Sequence, residues 1–173
     1  MVRVPHVWLE LEATIDGERV VGQSADHLPP KWFTKDPARG LADEISEMKA
    51  VLTQAGKAAV GRKAPTVHGL MEGVEAAQAA WAAEVGLPDL LSHFGVTFVE
   101  RALIDAFCRR HQTTVGAVLR GNGLGVELAD LHPELAGMAP SEGLPATSLA
   151  TAASRHTVGL GDPLEESEVA ADE

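Results

Sequence analysis

The sequence predicts an α+β fold, a β-hairpin or short meander followed by a bundle of three to four helices. Three observations predict it. Apolar residues alternate with a period of two only near the start, from Val7 to Ala13. From Leu41 to Leu119 they recur instead at helical spacing. The composition is rich in alanine, with 4% aromatics and no tyrosine, which favours helix–helix packing over an all-β sandwich.

The elements follow in order. Val7, Leu9, Leu11 and Ala13 alternate with Trp8, Glu10 and Glu12, the mark of a half-buried strand. Asp16-Gly17 is a turn pair that tolerates positive φ, and Val20-Val21 resumes the apolar run, so a hairpin closes there. Pro29-Pro30 forbids regular structure, and Lys31-Trp32-Phe33 places two large aromatics in a loop. Either both aromatics plug the hairpin onto the helices, or the loop closes over a ligand.

Asp36 fits an N-cap with Pro37 at the first helical position. Leu41, Ile45, Met48, Leu52 and Ala55 form the stripe of the helix that follows, which ends between Gly56 and Gly61. Thr66 caps a second helix, striped by Val67, Leu70, Met71, Val74, Ala77 and Trp81 and stopped by Gly86 and Pro88. Thr97-Phe98-Val99-Glu100 reads as a capping box opening a third helix, with Val99, Ala102, Leu103, Ala106 and Phe107 on one face. Asp105 has Arg101 and Arg109 four residues to either side and can pair with each. A shorter helix runs from Thr114 to Leu119 and stops at Gly121. The predicted organisation is a domain over 1–125, a connector over 126–153, a short strand within 154–163, and an acidic, disordered tail over 164–173.

Charge and composition exclude several function classes. The formal net charge is −11, from 14 basic and 25 acidic residues, which argues against nucleic acid and against an anionic membrane surface. Asp162, Glu165, Glu166, Glu168, Asp172 and Glu173 lie together near the C-terminus with no Lys or Arg among them. Cys108 is the single cysteine, so an internal disulfide is impossible and the thiol is expected to be buried and inert. No stretch approaches the roughly 18 apolar residues of a membrane helix, and a cytoplasmic location is expected.

A search for chemistry returns little. None of the seven histidines stands in H-x-H or H-E-x-x-H spacing, so no metal site is visible. Gly22-Gln23-Ser24-Ala25-Asp26 lacks the second glycine and the following helix of a nucleophile elbow. Gly121-Asn122-Gly123-Leu124-Gly125 follows a helix rather than a strand, which argues against a phosphate cradle. Asp43, Glu44 and Glu47 are read as solvating the outer face of the first helix. No catalytic residues emerge.

Glu100-Arg101-Ala102-Leu103-Ile104-Asp105, with Arg109, resembles the E-x-A-L-x-D-x-x-x-R helix of the mandelate racemase/muconate lactonising enzyme group of the enolase superfamily. Val118-Leu119-Arg120-Gly121 is similar to the stop that follows it there, and Val20-Val21-Gly22-Gln23-Ser24-Ala25 to the end of the family's cap strands. Arg155-His156-Thr157-Val158-Gly159-Leu160-Gly161-Asp162-Pro163 resembles the first barrel strand and its loop. The likeness spans residues 4–163.

What the resemblance implies is an N-terminal capping domain with the barrel essentially absent from these residues. The family's barrel supplies a K-x-K lysine, three Asp/Glu ligands for Mg²⁺ and a second base, which together abstract a proton α to a carboxylate. This chain has no K-x-K, and a barrel needs about 250 residues, so neither catalytic residues nor metal ligands carry over. No cofactor is expected in the chain itself, and Mg²⁺ only for a full-length parent. The resemblance places the loop of His27, Lys31 and Trp32 where a cap approaches the barrel mouth. Lys31 there fits two roles, meeting a substrate carboxylate or standing solvated beside packed aromatics. The expected activity is that of a racemase, cycloisomerase or dehydratase of carboxylates, with this portion inactive alone. The rival expectation is a small non-enzymatic helical interaction module. Self-association through exposed cap surface is expected of either.

Overall fold

Two antiparallel strands open the chain, β1 (His6–Ile15) and β2 (Glu18–His27), paired from His6↔His27 to Ile15↔Glu18. The turn between them is Asp16-Gly17, with φ of 51° and 79°. Two consecutive positive φ values give the tight reversal whose twist matches the strands, and Asp-Gly tolerates both. The computed structural model describes residues 5–33, 36, 38–155, 165 and 167. The expected strand within 154–163 and the acidic tail lie outside the described residues, save single positions. The chain divides into two compact units after Ala146, and the account below concerns the one that ends there.

The helices are α1 (Leu41–Ala59), α2 (Val67–Val85), α3 (Asp89–Arg110) and α4 (Val115–Arg120). Single-turn α5 (Leu128–Leu131), a 3₁₀ turn (Pro133–Leu135) and α6 (Pro140–Gly143) follow. The α+β reading therefore holds: a hairpin, then a helical bundle, with no barrel among the described residues. Thr66 caps α2 as predicted, and Thr114, expected as the first residue of the short helix, caps α4 instead, each hydroxyl accepting a backbone N–H three residues on. Gly86 ends α2 in the left-handed conformation.

Two helix starts differ from expectation. Helix α1 begins at Leu41 behind Gly40, not at Asp36. The Asp36 carboxylate instead accepts the Ala38 N–H at 2.9 Å and closes a local turn, while Pro37 lies outside the described residues. Helix α3 begins at Asp89, directly after Pro88, and runs unbroken through Thr97. The Thr97 hydroxyl donates back to the Phe94 carbonyl at 2.8 Å, the alternative partner open to a threonine inside a helix. A capping-box spelling was thus a mid-helix threonine beside an exposed glutamate.

Helix α3 packs against both strands, α1 and α2. It is buried on more than one side, with Leu91, Val96, Phe98, Val99, Ala102, Leu103 and Ala106 all inside. Two of its crossings are so close that no Cβ fits. A Cβ on Gly22 of β2 would lie 1.9 Å from the Ala102 carbonyl oxygen of α3. A Cβ on Gly95 of α3 would lie 2.3 Å from the Val51 carbonyl oxygen of α1. Glycine is required at both because backbone meets side-chain-free backbone.

The core has two centres. One gathers Met71, Val74, Val99, Leu103, Val118 and Leu124, with Leu9 and Leu11 of the hairpin packed on it. The other gathers Leu28, Met48, Val51, Leu91 and Phe98, covered by Phe33, Phe94 and Trp81. Phe98 is fully buried, and burial of such a side chain contributes about 1.5–3 kcal/mol. Gln78 of α2 is also buried, donating its amide N–H to the Val51 and Ser92 carbonyls and so tying α1 to α3.

Candidate functional site

The hairpin's open end and the loop beyond it hold the three residues singled out by sequence. His27 ends β2, exposed, with its ring edge-on to His6 at 4.8 Å between centroids. The neighbouring Asp26 pairs with Arg101 of α3 at 3.2 Å, and that guanidinium also lies 4.9 Å over the Phe98 ring. Trp32 is 64% exposed. Phe33 turns inward and meets Phe94 at 4.8 Å. Of the two loop aromatics expected to plug the hairpin onto the helices, only Phe33 does so; adjacent side chains in a turn point apart.

Lys31 is the best-held residue of the loop. Its backbone is left-handed, at φ 65°. Its ammonium lies 2.8 Å from the Asp36 carbonyl oxygen, 2.6 Å from that of Arg39 and 2.9 Å from Glu44 Oε1. The two carbonyls accept N–H bonds from the ammonium, and the Glu44 carboxylate balances its charge as an ion pair. The Lys31 backbone N–H donates to Glu44 Oε2 at 2.5 Å. The Asp36 and Arg39 carbonyls are therefore held by one cation just ahead of α1.

Glu44 was expected on the solvated face of α1; it is 4% exposed. The Lys31 backbone N–H, then the Lys31 ammonium, hold its carboxyl below the usual carboxylate range. Glu47 pairs with Arg39. The correction has a simple cause: a carboxylate within the first turn of a helix suits its positive end whether it faces water or a returning loop.

In α3, Asp105 takes its partner on the C-terminal side, Arg109 Nε at 2.7 Å, and accepts the Gln23 backbone N–H of β2 at 2.9 Å. Ser24 donates its hydroxyl to the Phe98 carbonyl at 2.7 Å. The Gly22–Asp26 stretch is thus a docking strand, with its serine hydroxyl buried. Cys108 is buried, and burial pushes its thiol up, with the Asp105 charge adding to the effect. The glycine-rich segment after α4 folds on itself: the Asn122 side chain exchanges two hydrogen bonds with the Val126 backbone at 2.9 and 2.8 Å.

One cluster was missed from sequence. His68 and Glu72 of α2 and Asp130 of α5 bring one ligand atom each to within 4.8 Å of one another. Histidine and glutamate four apart share a helix face. That spacing was legible, but the aspartate arrives from a distant turn. Among the described residues no helix is long and apolar enough to cross a membrane.

Comparison with models of protein families, with curated proteins and with solved structures finds no match to this chain.

Proposed function

We propose that this chain is the capping portion of an enolase-superfamily enzyme of the mandelate racemase/muconate lactonising kind, acting on carboxylate substrates in the cytoplasm. The supporting observation is the use made of the helix that carries the resemblance. Asp105 and Arg109 of that helix pair with each other, and Asp105 also receives the hairpin's Gln23 N–H. The aspartate of the E-x-A-L-x-D-x-x-x-R pattern thus joins helix to hairpin, with the arginine holding it in place, a structural reason for that pair in a cap built this way.

In this reading the cap selects and encloses substrate, and the chemistry belongs to a barrel. The loop of His27, Lys31 and Trp32 faces the substrate, with His27 and Trp32 its exposed members. Lys31 and Glu44 hold the loop's shape. The Mg²⁺ expected of a full-length parent requires an all-oxygen octahedral set. Among the described residues the group of three, His68, Glu72 and Asp130, includes an imidazole, so it does not fit that ion.

Intact mass of the native product from its source cells tests the reading. The expected result is a product heavier than 18.2 kDa by a barrel's length, whose purified form shows Mg²⁺-dependent exchange of a substrate α-proton. A product at 18.2 kDa without such exchange overturns it. The second reading, a helical interaction module, then stands, favoured by Trp8 and Trp32, each 64% exposed.

A further inference from the structure

His68, Glu72 and Asp130 answer a question that neither the hairpin nor the loop raises: what holds the segment after α4 against the bundle. We propose that these three side chains bind a divalent transition-metal ion of the zinc class, which staples α5 to the first turns of α2. The site is independent of the cap reading and of its Mg²⁺.

The backbone brings the ligands together before any ion arrives. The His68 N–H donates to the Leu124 carbonyl at 2.9 Å, which fixes the chain leaving α4 beside the start of α2. The Asn122 side chain locks the following loop through its pair of bonds to Val126. Asp130 then lies over the face that His68 and Glu72 share, with His68 Nε2 3.9 Å from Glu72 Oε1. In a tetrahedral zinc site the ligand atoms stand about 3.4 Å apart, as follows from bonds of roughly 2.0–2.2 Å. The present separations, up to 4.8 Å, must shorten by about 1.4 Å at most for such a site. The His68 side chain is three-quarters covered, whereas Glu72 and Asp130 are exposed and free to turn inward.

The donor set chooses the ion. One imidazole and two carboxylates suit zinc and its neighbours, whereas Mg²⁺ and Ca²⁺ prefer oxygen alone. Three protein ligands leave one position for water. Neither Glu72 nor Asp130 has a Lys or Arg ion-pair partner among the described residues, so with a neutral imidazole the cluster carries two uncompensated charges. Three other histidines, His93, His111 and His132, each meet a single carboxylate, Glu75, Asp16 and Glu134. They are internal controls, because a histidine with one carboxylate is two ligands and not three.

Calorimetric titration of the chelator-stripped full chain with Zn²⁺ tests the site. The expected result is one equivalent bound, weakened roughly tenfold or more in both His68→Ala and Asp130→Asn, and unchanged in His93→Ala. Asp130→Asn keeps shape and removes charge on an exposed turn, so circular dichroism of that variant should match the native chain. Limited proteolysis gives a second readout: Zn²⁺ should protect the chain around Asp130 in the native protein and not in Asp130→Asn. Absence of a one-to-one event, or equal binding by the native chain and both site variants, overturns the proposal.

Discussion

Lys31 and Glu44 show how a single ion pair can shape a loop. The pair is partly shielded, Glu44 more than Lys31, and removing the carboxylate's charge leaves an ammonium among carbonyl oxygens. The folded state holds the Glu44 carboxyl below its ordinary range. Its contribution is therefore complete above the unfolded value of about 4.3 and is lost as pH falls through the lower folded value. Glu44→Gln keeps the acceptor oxygen and removes the charge. Denaturation midpoints measured from pH 6 to pH 3 should fall less steeply in that variant than in the native chain. At Cys108 burial raises the thiol, so a disulfide reagent should react at a rate set by unfolding, rising with denaturant, and not at the rate of a free thiol. The pairing of Lys31 with Glu44 was hidden in the sequence because the residues stand 13 apart on a loop and a helix, where no periodic rule applies.

At the scale of elements, the two glycine crossings fix how the hairpin, α3 and α1 meet. Gly22→Ala and Gly95→Ala should each destabilise by about 3 kcal/mol or more, since a backbone must move in each case. Gly56→Ala is the matched control: its Cβ meets nothing within 4 Å, and a glycine in the last turn of α1 replaced by alanine should raise stability by up to about 0.5–1 kcal/mol. Urea melts of the three variants decide this. The clasp between α2 and α3 is His93, whose ring bonds the Asp89 carbonyl and the Glu75 carboxylate, both at 2.8 Å. Those contacts, the Asp89 carbonyl first, raise its protonation range. The clasp contributes fully below about pH 6.5 and is lost as pH rises through the folded value. His93→Gln should flatten stability between about pH 6 and 8, by less than about 1 kcal/mol, because both partners are half exposed.

Strands and helix stripes were legible because Val7–Ala13 and Leu41–Ala55 each follow one period with one buried face. Helix α3 was half legible. Its first ten residues carry no single stripe, because the Ser92 carbonyl meets Gln78 of α2 and the Phe98 carbonyl meets Ser24 of β2, and the threonine spelling then suggested a false start. The metal cluster was half legible for a different reason. His68 and Glu72 are local, whereas Asp130 depends on where a loop returns.

For the whole molecule, the expectation of either functional reading is association. Trp8, Leu90 and Leu131, each at least 60% exposed, leave apolar surface open among the described residues. Size-exclusion chromatography with light scattering should show concentration-dependent mass above 18.2 kDa; a monomer across the accessible range counts against both readings. The hairpin's dependence on α3 also has a consequence in time. Its anchors join Ser24 to Phe98 and Gln23 to Asp105, 74 and 82 residues further along. A hairpin forms in about 1–10 μs. A ribosome adding roughly 5–20 residues per second delivers the second anchor about 4–16 s later. Throughout that interval Leu9, Leu11 and Gly22 wait with an apolar face open to water, and a nascent-chain chaperone has its clearest opportunity there.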